Sequence, residues 1–156
     1  MQIDINTLSE VRADEISEIA TIEADNFGSG ALNQWHLPVA IRYGKVFVIR
    51  RNGVIAGASE LMVNWQEPES VFIIGFSIAE LYQGQGLGKK LLTAIINYLR
   101  DDGRRFLLLT VAADNKRALK LYDNFGFKES KILRNEYGQG VNRLLLRLDI
   151  NGADYE

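Results

Sequence analysis

The sequence contains no cysteine, a single histidine and only two prolines among its 156 residues. Without cysteine it can form no disulfide, thiolate nucleophile or Cys-based metal site, and His36 alone cannot build a multi-histidine metal centre. No apolar run approaches the roughly 18–20 residues needed to span a bilayer, and the acidic start MQIDINTLSE is not typical of a signal peptide. These absences predict a cytoplasmic protein without a metal.

The overall charge and composition are those of an ordinary globular protein. The formal net charge is −2, so no electrostatic footprint for nucleic acid or an anionic membrane is present. Apolar residues make up 47% of the chain and charged residues 24%. Because there is neither a repeat nor a linker, we expect one domain over residues 1–156, with residues 151–156 fraying.

Hydrophobic periodicity and turn residues predict the element order β-α-α-β-β-β-α-β-α-β-β. The predicted strands cover residues 2–9, 46–50, 54–63, 71–79, 106–112, 127–135 and 141–150. The predicted helices cover residues 13–27, a second segment ending near residue 44, 86–100 and 115–125. An Asn52-Gly53 pair between two apolar runs predicts a tight hairpin. The pattern indicates a mixed α/β domain with a strand-turn-helix unit at its centre.

The most informative segment is the glycine-rich run YQGQGLGKK over residues 82–90, between an apolar strand and an amphipathic helix. Unpaired N–H groups at a helix start bind anions, and glycines let a phosphate approach them. The Walker pattern fails because Gln83 and Lys90 stand where glycine and Ser/Thr are required. The dinucleotide pattern GxGxxG fails at Lys89. A pyrophosphate cradle and a glycine turn without a ligand both fit the run alone.

Two motifs together resemble the GNAT acyltransferase superfamily. The run QGQGLG is similar to its [QR]-x-x-G-x-[GA] signature, and residues 114–127, DNKRALKLYDNFGF, resemble its second signature. The resemblance implies an α/β, GNAT-type fold with a mixed, mostly antiparallel central sheet, a splayed parallel strand pair and flanking helices. It also implies acetyl-CoA as co-substrate and no metal.

The resemblance further implies how coenzyme A is bound. The backbone of Phe76 and Ile78 would contact the pantetheine arm and the acetyl carbonyl, while their side chains pack in the core. Asn115 would touch the coenzyme arm or cap the following helix, and the two roles are compatible. The pyrophosphate would be held by backbone amides of the glycine turn and by a nearby lysine: Gln83, Gly84, Gln85, Gly86, Leu87, Gly88 and Lys89.

Tyr122 is the candidate general acid, because the resemblance places a tyrosine there. A phenol with a pKa near ~10 is protonated at neutral pH and can donate to a leaving thiolate whose thiol has a pKa near ~8.5. The alternative is that Tyr122 belongs to an apolar helical stripe with Ala118, Leu119 and Phe125.

The general base is not identified by the motifs. Many family members carry a glutamate eleven residues before the signature glutamine, and here that position is Phe72. Glu80 and Glu60 are the candidates, and each has the alternative of being an ordinary surface carboxylate. An acceptor with a low pKa, such as an α-amino group near ~7.7–8.0, would need no strong base.

The acceptor groove is expected from the less specific parts of the chain. Family members line it with the segment that here holds Trp35 and His36, and Trp65 and Tyr137 lie in loops that would face it. For Trp35 and Trp65 the alternative is plain packing, and His36 can be structural.

These motifs predict an N-acetyltransferase that moves the acetyl group of acetyl-CoA to a primary amine by direct attack. The acceptor is left open between a small amine, an amino-acid derivative and a protein amine, and a homodimer is plausible from the resemblance. A non-catalytic CoA-binding sensor or scaffold is the second hypothesis. A nucleotide-phosphate-binding regulator is the third, and the failed Walker spacing argues against it.

Overall fold

The computed structural model describes residues 1–152; residues 153–156, which hold most of the tail predicted to fray, lie outside the described part. The described chain forms two compact units. The first unit comprises Met1–Met62 and Ile74–Ile95, and the second comprises Val63–Ile73 and the chain from Ile96 onward.

The predicted order of strands and helices is confirmed. The strands are β1 (Ile3–Thr7), β2 (Lys45–Arg51), β3 (Val54–Val63), β4 (Ser70–Ile78), β5 (Phe106–Val111), β6 (Lys128–Leu133) and β7 (Arg143–Asp149). The helices are α1 (Ala13–Phe27), α2 (Leu37–Tyr43), α3 (Leu87–Asp101) and α4 (Lys116–Asn124). Short 3₁₀ turns at Gly28–Gly30, Glu80–Tyr82 and Ile150–Gly152 were not expected from the sequence.

The first unit is a layer of strands in the order β1-β2-β3-β4, packed against α1 and α2. Its apolar cluster forms because Ile16, Ile19 and Ile22 recur on one side of α1 at helical spacing. They pack with Leu37 and Ile41 of α2 and with small or branched residues of the sheet. Strand β3 is buried on both faces from Ile55 to Leu61.

The second unit contains the one parallel pairing found among the described strands. Residues Ser70 to Phe72 of β4 pair in parallel with Phe106 to Leu108 of β5. Strand β7 then pairs antiparallel with β5 and with β6, which gives the order β4-β5-β7-β6. Helix α4 begins as predicted, because the Asn115 side chain accepts a hydrogen bond from the Ala118 N–H at 3.2 Å.

The predicted fold class is confirmed by this architecture. The sheet is mostly antiparallel with a single parallel pair among the described strands, and helices accompany it in both units. Among residues 1–152, no helix has the length and apolar character required to cross a lipid bilayer.

Candidate active site

The glycine-rich turn of the first unit has the geometry of an anion cradle. The first hydrogen bond of α3 joins the Lys90 N–H to the Gly86 carbonyl at 3.2 Å, so the N–H groups of residues 87–89 precede the helical ladder. Gly86 has a φ of 80°, which disfavours any side chain. Apart from its two chain neighbours, no protein atom would lie within 4 Å of a Cβ at Gly86, so the space beside the start of α3 is open at this residue. The arrangement fits a pyrophosphate.

The apolar side chains beside this turn pack into the protein, so backbone groups and Lys89 are left to bind a ligand. The Leu87 side chain is buried, and Phe76 and Ile78 are half-buried, as the packing expectation required. The Ile78 side chain closes over Gly57 of β3. Lys89 is exposed on the first turn of α3, where a cation can reach a bound phosphate.

The backbone groups of Ile78, the last residue of β4, point away from β3. The Ala79 N–H bonds the Ala56 carbonyl of β3 at 2.8 Å, so by strand alternation the N–H and C=O of Ile78 point the other way. The Ile78 carbonyl accepts hydrogen bonds from Asn26 Nδ2 at 3.2 Å and from Gln83 Nε2 at 2.9 Å. Two amides therefore fix this end of the strand.

Gln83 has a role that the motifs did not predict. Besides the Ile78 carbonyl, its Nε2 donates to the Oδ1 of Asn26 at 3.2 Å, and Asn26 is itself anchored to the Ile22 carbonyl at 2.9 Å. The side chain of the first turn residue thus ties the turn to the last turns of α1.

A pair of carboxyl groups is buried beside β4, and this corrects the expectation for Glu60. Glu60 is 0% exposed and Glu23 of α1 is 1% exposed, so the surface interpretation of Glu60 is wrong. Both carboxyls approach the backbone of Gly75. A Cβ at that residue would lie 2.8 Å from Glu23 Oε1 and closer still to Glu60 Oε2. A side chain at this position would therefore require both carboxyl groups to shift.

The pair is arranged to hold a proton. Burial raises the pKa of Glu60 well above its ordinary 4.5, and the negative charge and hydrogen bond of Glu23 raise it further. Burial also raises the pKa of Glu23, while hydrogen bonds with Glu60 and Ser77 oppose the rise. This pattern is that of Glu60 as the protonated donor and Glu23 as the ionised acceptor.

The buried carboxyl oxygens that lack a hydrogen-bond partner also indicate that Glu60 is protonated. If both carboxyls were ionised, the two Glu60 oxygens and Glu23 Oε1 would have no hydrogen-bond donor among the described residues. Buried polar atoms without partners are costly, and a proton on Glu60 supplies the missing donor. Among residues 1–152 no group of three or more His, Cys, Asp or Glu side chains could hold a metal ion.

The position of Glu23 in the sequence carries a signal of burial. Glu23 follows Ile19 by four residues and Ile16 by seven, so it lies on the apolar stripe of α1, where a carboxylate is unusual.

Glu80, the other candidate base, is exposed in the 3₁₀ turn before the glycines, as its surface interpretation required.

Tyr122 lies in the second unit, on the buried side of α4. It is 7% exposed, and its ring meets the edge of the Phe127 ring at 5.5 Å between centroids, so it does belong to the apolar stripe. Burial raises the pKa of Tyr122 to about 12, and the positive charge of Arg143 opposes the rise. Arg143 is held by Thr110, through Oγ1 at 3.0 Å and the carbonyl at 2.8 Å. The phenol is therefore protonated at neutral pH.

The residues expected to line the acceptor groove are surface residues. Trp35 is 79% exposed and Trp65 is 94% exposed, so the packing interpretation of both tryptophans is wrong. His36 is exposed, and its Nδ1 lies 3.4 Å from the Asn33 N–H. Tyr137 is half-exposed, with the Arg143 guanidinium 5.7 Å from its ring. Trp35 and His36 belong to the first unit, and Trp65 and Tyr137 to the second.

Residues 12–127 match the model of the Acetyltransferase (GNAT) family. Two curated relatives carry the name [Ribosomal protein bS18]-alanine N-acetyltransferase. The protein from Haemophilus ducreyi is 42% identical over 80 residues, which is 49% of this chain and 55% of that protein. The protein from Escherichia coli K12 is 35% identical over 91 residues, or 58% of this chain and 60% of that protein. The chain thus spans little more than half the length of these relatives.

A solved structure extends the likeness over the whole fold. The crystal structure of the ribosomal-protein-S18-alanine N-acetyltransferase from Escherichia coli superposes with a TM-score of 0.80 and 25% sequence identity. The similarity covers 99% of this chain and 98% of that structure.

The open space at Gly86 predicts a selective effect on donor binding. Gly86→Ala places a methyl group where the pyrophosphate is expected, and we expect acetyl-CoA to bind roughly tenfold more weakly or worse, a loss of about 1.4 kcal/mol. Gly103→Ala is the matched control, because Gly103 also has a positive φ, 78°, and open space at its Cβ position. Both substitutions impose a similar backbone strain of about 1 kcal/mol. Equal acetyl-CoA affinity of the two variants by calorimetry would exclude the turn as the phosphate site.

The retained proton predicts how stability depends on pH. The folded chain binds a proton at Glu60 above pH 4.5 that the unfolded chain releases, so the unfolding free energy falls with rising pH by up to about 1.4 kcal/mol per pH unit. In Glu60→Gln this loss is absent, and we expect a flatter curve between pH 5 and pH 8 in urea unfolding. Glu18→Gln, an exposed change on α1, should keep the wild-type slope. Parallel curves for all three proteins would contradict the raised pKa.

Proposed function

The chain belongs to the acetyltransferase (GNAT) family, and we propose on that basis that it transfers the acetyl group of acetyl-CoA to an amine. The observation that carries the proposal is the glycine turn, which combines a family signature with unpaired helix-start amides facing open space. Nothing in the relatives favours the non-catalytic CoA-binding alternative.

On the donor side, backbone groups of the first unit would do the binding. The amides of residues 83–88, with Lys89 beside them, would hold the pyrophosphate of acetyl-CoA, and Phe76 would contact its pantetheine arm. The N–H of Ile78, which points away from β3, would donate to the thioester carbonyl and stabilise the oxyanion that forms on attack. The strand end held by Asn26 and Gln83 keeps that N–H in a fixed direction.

On the leaving-group side, Tyr122 would protonate the sulfur of coenzyme A. With a pKa of about 12 the phenol keeps its proton until negative charge develops on the sulfur as the C–S bond breaks. The charge of Arg143 stabilises the phenolate left behind, which lowers the cost of the transfer. Asn115, which caps α4 seven residues earlier, would also touch the coenzyme arm.

For the acceptor we propose the α-amino group of a protein or peptide N-terminus. Support comes from the two curated relatives and the solved structure, all named as N-acetyltransferases of an alanine of a ribosomal protein. Trp35, His36, Trp65 and Tyr137 are exposed or half-exposed, so each is available to contact a polypeptide.

Three further expectations stay predictions of the sequence. They are a single acyltransferase domain over residues 1–156, a cytoplasmic location and a homodimer.

The acceptor class can be tested with three peptides that differ in one amine. A peptide with a free N-terminal alanine should release coenzyme A thiol, whereas the same peptide with an acetylated N-terminus should not. A blocked peptide carrying one lysine should react roughly 10²-fold more slowly at pH 7, because less of its amine is neutral. Preference for the lysine peptide would overturn the acceptor assignment. If acetyl-CoA binds but no amine tested causes release of coenzyme A thiol, the enzymatic proposal is wrong.

Tyr122→Phe tests the general acid. Removal of the hydroxyl keeps the ring and its contact with Phe127, so we expect roughly 10²-fold lower kcat with nearly unchanged affinity for acetyl-CoA. Phe127→Leu, which disturbs the same packing and keeps the hydroxyl, is the control. Weaker acetyl-CoA binding in Tyr122→Phe without a rate defect would assign Tyr122 to packing alone.

A further inference from the structure

Ser77 adds a third buried polar side chain to the Glu23–Glu60 pair. The three residues come from α1, β3 and β4, and none is more than 2% exposed. The Ser77 hydroxyl lies beside Glu23, and its hydrogen bond to that carboxyl lowers the pKa of Glu23. A hydroxyl in this position can accept a proton on one side and pass its own to a carboxylate on the other.

Burial of this group costs stability that packing alone does not require. An ionised carboxylate in an apolar interior is expensive, and replacing buried charges by apolar side chains of similar volume is often neutral or stabilising. Here Glu23 lies on α1, the helix that supplies Ile16, Ile19 and Ile22 to the apolar cluster of the first unit. Both carboxyl groups lie close to where a Cβ of residue 75 would stand. Buried titratable groups of this kind are concentrated at functional sites.

The position of the group on β4 connects it to the proposed chemistry. Ser77 is the immediate neighbour of Ile78, whose N–H is the proposed donor to the thioester carbonyl, and Gly75 precedes Ser77 by two residues. Residues 75 and 77 turn their Cβ positions to the face that carries the carboxyls. Ser77, which lies beside the pair, is therefore the chain neighbour of the residue whose N–H would hold the thioester carbonyl.

We propose that Glu23 and Glu60 hold one proton between them and accept a second, through the Ser77 hydroxyl, from the amine that attacks the thioester. This inference rests on the proposed function. Glu23 is the ionised member that receives the proton, and Glu60 is a positioning residue that keeps its own proton and donates a hydrogen bond to Glu23.

The step balances as follows. The neutral amine forms the C–N bond, and the extra proton on its nitrogen passes to Ser77 Oγ while the Ser77 proton passes to the Glu23 carboxylate. The C–S bond then breaks, the sulfur keeps the electron pair and takes a proton from Tyr122. The pair now holds two protons and no charge. It returns one proton, by way of Ser77, to solvent once the products have left, and the Tyr122 phenolate takes a proton back from solvent.

The shared proton can be measured without any catalytic turnover. In the full chain labelled with ¹³C at glutamate side-chain carboxyls, we expect one carboxyl signal to stay in its protonated position at pH 7. The signal should persist in Glu18→Gln and disappear in Glu60→Gln. If every glutamate instead titrates near the ordinary value of about 4.3, the pair holds no proton and the inference is wrong.

The proton-acceptor role is tested by the pH dependence of kcat in matched variants. Glu23→Gln should lower kcat roughly 10²-fold at pH 7, with the deficit shrinking as pH rises and hydroxide takes over the proton. Glu60→Gln should lose less than roughly tenfold, because the introduced amide still donates to Glu23. Glu18→Gln should match wild type, and acetyl-CoA affinity should stay unchanged in all three. Should Glu23→Gln fail to fold, Glu23→Asp takes its place, with a smaller expected loss.

The outcomes separate this inference from the function on which it rests. A protonated carboxyl signal without acetyl transfer to any amine would overturn the proposed function and the acceptor role together. Acetyl transfer with the same pH profile in Glu23→Gln and wild type would overturn the acceptor role alone. A Ser77→Ala variant that retains full kcat would remove the hydroxyl from the pathway.

Discussion

The end of β4 is the element on which the rest of the candidate site depends. One edge of its backbone is bonded to β3 through Ala79, so the groups of Ile78 face away from that strand. The carbonyl of Ile78 is held by two amides, one from Asn26 and one from Gln83. With the strand end fixed in this way, its N–H has a defined direction and its neighbours have defined faces.

Two kinds of chemistry are placed around this fixed strand end. Ahead of it along the chain, the glycine turn supplies helix-start amides bordered by open space. Beneath it, the α1 side of the sheet carries a carboxyl pair that burial keeps partly protonated. The first function needs groups that face outward and the second needs groups withdrawn from water. A β-strand meets both needs because successive residues present opposite faces.

The parts that the sequence predicts well are those controlled by local signals. The glycine turn, the hairpin at Asn52-Gly53 and the cap at Asn115 follow from residue types at short spacing, and all three are found. The strands and helices follow from periodicity over ten to fifteen residues. Boundaries differ by a few residues because the ends depend on capping and tertiary contacts.

The carboxyl pair was not predicted because it depends on contacts between elements far apart in sequence. Glu60 lies in a strand buried on both faces, so the alternation that separates inward from outward positions does not apply there. Trp35 and Trp65 show the opposite failure, since their apolar character suggested packing and both are exposed. The residue type gives only an average tendency to be buried, whereas the burial of a particular side chain depends on how its loop runs over the protein.

The close approach at Gly75 also constrains how this chain can evolve. A side chain at residue 75 would meet both carboxyls, so a substitution there requires the ends of Glu23 and Glu60 to shift. Removing one glutamate alone leaves the other without its proton-sharing partner in the core. The three positions are therefore coupled, so the effect of a substitution at one of them depends on the residues at the other two.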